Sequence, residues 1–203
     1  MIPITFVSWN CIGLGKTLKR GKVFAHLKFF SSDAIFLQET NICPAEQRHF
    51  WSVTGVPVHI LFWAEGGLLS YAQNCSIYIL SYDCKPRWEV CYVNGSINSI
   101  PVALLNIYTP NIDCLDFYCM VFNLAADHND CNIIIGGDFN CYFNSLLDRS
   151  LTKVAANLNS VRKLNNLLKS PDWFDIWRLQ HPLKRKFSLL LPAHQCYLEL
   201  IVF

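Results

Sequence analysis

The sequence predicts an α/β fold with mixed sheets in a single domain over residues 1–203. Short apolar runs that stop at glycines or polar residues alternate with stretches of helical periodicity. A hairpin pattern in the middle excludes a purely parallel sheet. With 52% hydrophobic and 16% charged residues, the chain has ample material for a buried core.

The elements follow in order. Residues 4–9 are apolar and end at Asn10, with Gly13 and Gly15 beyond, the pattern of a buried strand and a turn. Residues 17–30 place Val23, Leu27 and Phe30 on one helical face and lysines on another. Residues 34–37 form a second buried strand running into Gln38-Glu39-Thr40, and residues 44–51 a short helix with Pro44 in its first turn. Strand-like pieces at 58–62 and 76–80 flank Gly66-Gly67. Residues 88–93 and 97–108 read as strands joined by Asn94-Gly95, a strong hairpin signal, and Pro101 is restricted to an edge or a strand start. Leu115, Tyr118, Val121, Phe122 and Ala125 make a helical stripe. Residues 131–135 are a buried strand entering Gly136-Gly137-Asp138-Phe139-Asn140. Leu158, Val161, Leu164 and Leu168 mark another helix, while 173–177 and 187–191 are expected as strands or turns.

A formal net charge of +2 does not by itself announce a nucleic-acid partner. The basic cluster Lys16, Lys19, Arg20 and Lys22 also reads as a solvated helix face. Ten cysteines contain no Cys-x-x-Cys pair, which argues against a zinc site and for small buried thiols in a reducing compartment. No signal peptide is visible, and no apolar run approaches the ~18 residues of a membrane span. A soluble, intracellular protein, nuclear or cytoplasmic, is expected.

Strand ends carry the candidate chemistry: Asn10, Glu39, Tyr108, and Asp138 with Asn140. Ligand sites in α/β sheets gather at the carboxyl ends of strands. Two carboxylates brought together there repel, and a hard cation such as Mg²⁺ resolves the repulsion while keeping positions for substrate phosphate. Each residue has a plain structural alternative. Asn10 and Asn140 suit turns, Glu39 and Asp138 suit loops, and Tyr108 suits a core position with its hydroxyl satisfied locally.

Trp9-Asn10, Leu37-Gln38-Glu39-Thr40, Asn106-Ile107-Tyr108-Thr109-Pro110-Asn111 and Gly137-Asp138-Phe139-Asn140 resemble, in order and spacing, the motifs of the endonuclease/exonuclease/phosphatase superfamily. Asp175-Ile176-Trp177-Arg178 and His181-Pro182 look like the apurinic-type endonuclease domain of LINE-type retrotransposons in particular. The resemblance implies a DNase I-like four-layer sandwich of two mixed β-sheets flanked by helices. It implies Mg²⁺ or Mn²⁺, DNA as partner and substrate, and neither a membrane nor a small-molecule cofactor. Glu39 would ligate the metal together with Asn10. Asp138 would position or deprotonate the attacking water, Asn140 and Asn10 would hold phosphate and water, and Tyr108 would contact the scissile phosphate. Where such domains continue with a Ser-Arg-Ile-Asp-like strand, this sequence has Cys196-Tyr197-Leu198-Glu199-Leu200, and no Asp-His ending precedes Phe203. The expectation is a C-terminally truncated copy with its final strands missing or altered and its activity impaired. The alternative is a non-catalytic retrotransposon remnant or nucleic-acid-binding fragment.

Overall fold

The computed structural model describes residues 4–29, 32–42, 60–64, 68–72, 77–85, 89–110, 112–128, 130–141, 147, 159–167, 173–184, 189–191 and 196–198. One sheet is built from β1 (Phe6–Asn10), β2 (Ala34–Gln38), β3 (Ile60–Ala64) and β4 (Leu68–Ala72), in the order β1-β2-β4-β3. The other holds β5 (Ile77–Lys85), β6 (Val90–Ile97), β7 (Ile100–Tyr108) and β8 (Asn132–Asp138), in that order. Each sheet contains one parallel pair, β1 with β2 and β7 with β8, and each of those pairs needs a helical crossover. Helix α1 (Thr17–Phe29) supplies the first and α2 (Leu115–Ala126) the second. The remaining pairings are antiparallel, so both sheets are mixed, as expected. Helices α3 (Asn159–Leu167) and α4 (Ile176–Gln180) follow, and β9 (Leu189–Leu191) pairs with β10 (Cys196–Leu198) in a two-stranded sheet of its own.

The strands alternate between two buried faces. On β2, Ile35 and Leu37 pack with Val23, Phe24 and Leu27 of α1, whereas Ala34 and Phe36 face the second sheet. On β7, Val102 and Leu104 meet that same inter-sheet layer, whereas Ala103, Leu105 and Ile107 pack beneath Phe117, Tyr118 and Val121 of α2. The result is helix, sheet, sheet, helix: the expected four layers. Burial on both faces explains why β2 reads as an unbroken apolar run.

Two expectations are corrected. The β6–β7 hairpin turns at Asn98-Ser99, with φ of 50° and 66°, rather than at Asn94-Gly95. Two successive left-handed residues make the tight turn that matches strand twist. Gly95 instead lies inside β6, where a Cβ would come within 2.1 Å of the Tyr78 carbonyl oxygen. Residues 173–177 are neither strand nor turn throughout, since Asp175 caps α4 by accepting from the Arg178 N–H at 2.8 Å. Pro101 occupies the second position of β7, a strand start as expected. The predicted helix at 44–51, and Phe30, Leu158 and Leu168, lie outside the described residues. Among the described cysteines Cys11, Cys114, Cys119 and Cys131 carry free thiols. Among the described residues no helix is long and apolar enough to cross a membrane.

Candidate active site

Because β1 and β2 run parallel, as do β7 and β8, their carboxyl ends lie side by side within each sheet. Register places Asn10 beside Gln38 and Tyr108 beside Asp138. β1 stacks on β8 and β2 on β7, which brings the four ends together across the sandwich. Asn10 is the hub. Its Nδ2 donates to Glu39 Oε1 at 2.9 Å and to Asp138 Oδ2 at 2.8 Å. Its Oδ1 accepts from the Ile12 N–H at 3.0 Å. One neighbour is a donor and two are acceptors, which fixes the amide's orientation. Asn10 therefore shows its NH₂, not its carbonyl, to the two carboxylates and bridges them.

Asn140 closes the other side. Its N–H donates to Asp138 Oδ1 at 3.0 Å, and its side-chain amide is turned to the Thr109 carbonyl. Asp138 thus has both oxygens engaged. Thr109 N–H donates to the Asp138 carbonyl at 2.8 Å, tying the end of β7 to β8. From below, the buried Tyr118 hydroxyl donates to the Phe139 carbonyl at 2.6 Å. Gly137 allows this close packing: at φ 145°, an added Cβ would sit 2.0 Å from the Ile107 carbonyl oxygen.

A fully buried polar pair joins the two sheets directly beneath these residues. Gln38 Nε2 donates to Asn106 Oδ1 at 2.7 Å and to Ser8 Oγ at 3.2 Å, and Asn106 Nδ2 donates to the Leu37 carbonyl at 3.2 Å. Glu39 follows Gln38, and Tyr108 lies two residues beyond Asn106. The pair therefore sets how the two sheets sit where their ends meet.

Left-handed backbone concentrates here as well. Ile12, Glu39, Asn41, Glu89 and Asn140 have φ between 45° and 50°. For β-branched Ile12 this conformation is strained. Such strain collects where the surrounding structure holds a site in place.

The electrostatics follow the geometry. Burial, and then the charge of Glu39, raise the Asp138 carboxyl above its ordinary range, against the hydrogen bonds from Asn10 and Asn140, which lower it. Burial comes first and a hydrogen bond to Glu39 second in holding the Tyr108 hydroxyl protonated, well above the usual phenol range. Burial pushes the Cys11 thiol up to about 12, despite the nearby Lys19. That thiol is inert. Lys19 Nζ donates to the Ile12 carbonyl at 2.7 Å, which brings one member of the basic cluster to the edge of the site.

The structure thus gathers Asn10, Glu39, Tyr108, Asp138 and Asn140. It also adds Glu89, which sequence reasoning missed. Its carbonyl accepts from the Tyr108 N–H at 3.0 Å, and burial followed by the charge of Glu39 raises its carboxyl. Gln38 and Asn106 were visible only as motif neighbours. Among the described residues no three His, Cys, Asp or Glu side chains close around a single point.

This arrangement is a DNase I-like fold, a four-layer α/β sandwich of two mixed β-sheets flanked by helices. No family model matches the sequence. Among solved structures, an AP endonuclease from Archaeoglobus fulgidus aligns with a TM-score of 0.72 at 12% identity, covering 98% of this chain and 86% of that one. The endonuclease domain of TRAS1, a telomere-specific non-LTR retrotransposon, aligns at 0.59 and 14% identity, covering 99% and 84%. D. rerio TDP2, complexed with a single-strand DNA product, aligns at 0.56 and 15% identity over 68% of this chain, which spans 61% of that structure. At these identities the likeness is one of fold.

Proposed function

We propose that the chain is a divalent-metal-dependent phosphodiesterase domain that nicks DNA, of the kind used to open a retrotransposon target. The observation that carries this reading is the Asn10 amide held between Glu39 and Asp138, two carboxylates that few purposes would bring together at strand ends. The fold neighbours that act on DNA support the choice of substrate.

The donor set suits a hard cation, since carboxylate oxygens are what Mg²⁺ or Mn²⁺ takes. Glu39 would hold the ion, which when bound would polarise the phosphate and offset its charge. The chain's own groups do the rest. Asp138, with its raised pKa, accepts a proton from the attacking water. Asn10 and the Asn140 N–H hold its carboxylate in one orientation. The protonated Tyr108 hydroxyl donates to a phosphate oxygen. The described histidines pack on aromatic rings, His26 on Trp9, His128 on Tyr92 and His181 on Trp177.

The test is nicking of supercoiled plasmid with Mg²⁺ or Mn²⁺, comparing the chain with Asp138→Asn and Glu39→Gln. Nicking that both substitutions abolish supports the reading. Cleavage no faster than that of the two variants would sink it and leave a non-catalytic nucleic-acid-binding role.

A further inference from the structure

Glu89 stands just before β6, opposite the end of β7. Val90 pairs with Ile107, and both face α2. Tyr108, the next residue on β7, points the other way, into the layer between the sheets. Its N–H donates to the Glu89 carbonyl, while on its other side it pairs with Asp138. The end of β7 is therefore flanked by Glu89, just before β6, on one side and by Asp138 of β8 on the other. Across the sandwich, Glu39 acts electrostatically on Glu89, and Glu39, Asp138 and Glu89 all act on the Tyr108 hydroxyl. Glu89 is half-buried, and its backbone is left-handed at φ 46°.

Resting on the cation-dependent reading above, we infer that Glu89 is an outer carboxylate of the cation site, which tightens divalent binding by its charge. The three acids do not close into one cage, so Glu89 acts beside the ligand rather than as part of a three-carboxylate shell. Oxygen-ligand sites set their affinity for divalent ions largely through the number of charged groups and the rigidity of the site. The local backbone supplies the rigidity, because the Tyr108 N–H and the left-handed turn hold Glu89 whatever its side-chain charge.

The test is isothermal titration of the full chain with Mn²⁺, comparing the unsubstituted chain with Glu89→Gln, Glu89→Asp and Glu39→Gln, alongside thermal melting of each in EDTA. Glu89→Gln keeps shape and removes charge. It should weaken Mn²⁺ binding about tenfold, the scale of one partly screened charge, while its melting temperature in EDTA holds or rises as like-charge repulsion falls. Glu89→Asp, which keeps the charge and suits the left-handed backbone, should retain most of the affinity. Unchanged Mn²⁺ affinity in Glu89→Gln, with Glu39→Gln still losing it, overturns the role of Glu89 and leaves the proposed function standing. Equal losses in Glu89→Gln and Glu89→Asp overturn it too, since charge would not be the cause. If the unsubstituted chain binds no Mn²⁺, or Glu39→Gln binds it as well as the unsubstituted chain does, the cation-dependent reading fails and this inference with it.

Discussion

Replacing Asn10 by leucine removes the bridge between Glu39 and Asp138 while keeping similar volume. Both carboxylate oxygens lie within hydrogen-bond reach of one nitrogen, so they are no more than about 5.7 Å apart. At an effective dielectric of about 20, two unit charges at that separation repel by about 3 kcal/mol before screening. The amide offsets this with two hydrogen bonds to charged acceptors, each of about 1.5–3 kcal/mol. Discounted for the partial exposure of all three groups, the loss in EDTA above neutral pH should be about 2–4 kcal/mol. The sign of its pH dependence follows from Asp138, whose folded carboxyl already sits above its ordinary value. A raised carboxyl binds its proton more tightly in the folded chain, so its stabilising contribution is present at low pH and lost as pH rises through the folded value. Losing the Asn10 hydrogen bond raises that value further. The deficit is then full above the variant's value, shrinks as pH falls through it, and levels off once Asp138 in the unsubstituted chain is protonated too. Urea unfolding of both chains in EDTA across a pH series measures this directly. A deficit that stays constant with pH, or one below about 1 kcal/mol at high pH, would refute the argument.

Two further outcomes are expected. Asn106→Leu and Gln38→Leu should each cost about 2–4 kcal/mol by stranding buried polar groups, but the double substitution should cost clearly less than their sum, because replacing both partners leaves fewer unpaired groups; equilibrium unfolding of the four chains closes that cycle. Ile12→Asn should stabilise the fold by about 0.5–1 kcal/mol, because Ile12 is 64% exposed and gives up little burial, while asparagine tolerates φ 49°; the urea midpoint should move upward.

Much of the site was legible because strand ends that need no polarity carry it. Asn10, Glu39, Tyr108 and Asp138 each close an apolar run, whereas the four-layer order was implied by the family resemblance and not by the strand pattern. Glu89 was hidden by the misplaced hairpin. Asn94-Gly95 is the commoner turn signal, and taking it as the turn shifts the whole β6–β7 pairing, so that Glu89 no longer lies opposite Tyr108. The real turn uses Asn98-Ser99, without the glycine that usually marks left-handed pairs. Helix α4, five residues long, is too short for a hydrophobic period to show. Asp175, which caps it, was read only as part of the Asp175-Ile176-Trp177-Arg178 resemblance. The Gln38–Asn106 pair joins positions 68 apart, and no local pattern in either strand announces a partner in the other sheet.

The Asn10 bridge has a consequence for how the chain folds. Its bond to Glu39 spans 29 positions and its bond to Asp138 spans 128. Closing the longer loop costs about 1.3 kcal/mol more in chain entropy, and it also requires both sheets to exist. A folding chain that has only β1, α1 and β2 holds Asn10 and Glu39 together with no second carboxylate. The two carboxylates therefore meet only once both sheets have formed. On the proposed cation-dependent reading, an ion held between them would stabilise the completed sandwich over partly folded forms.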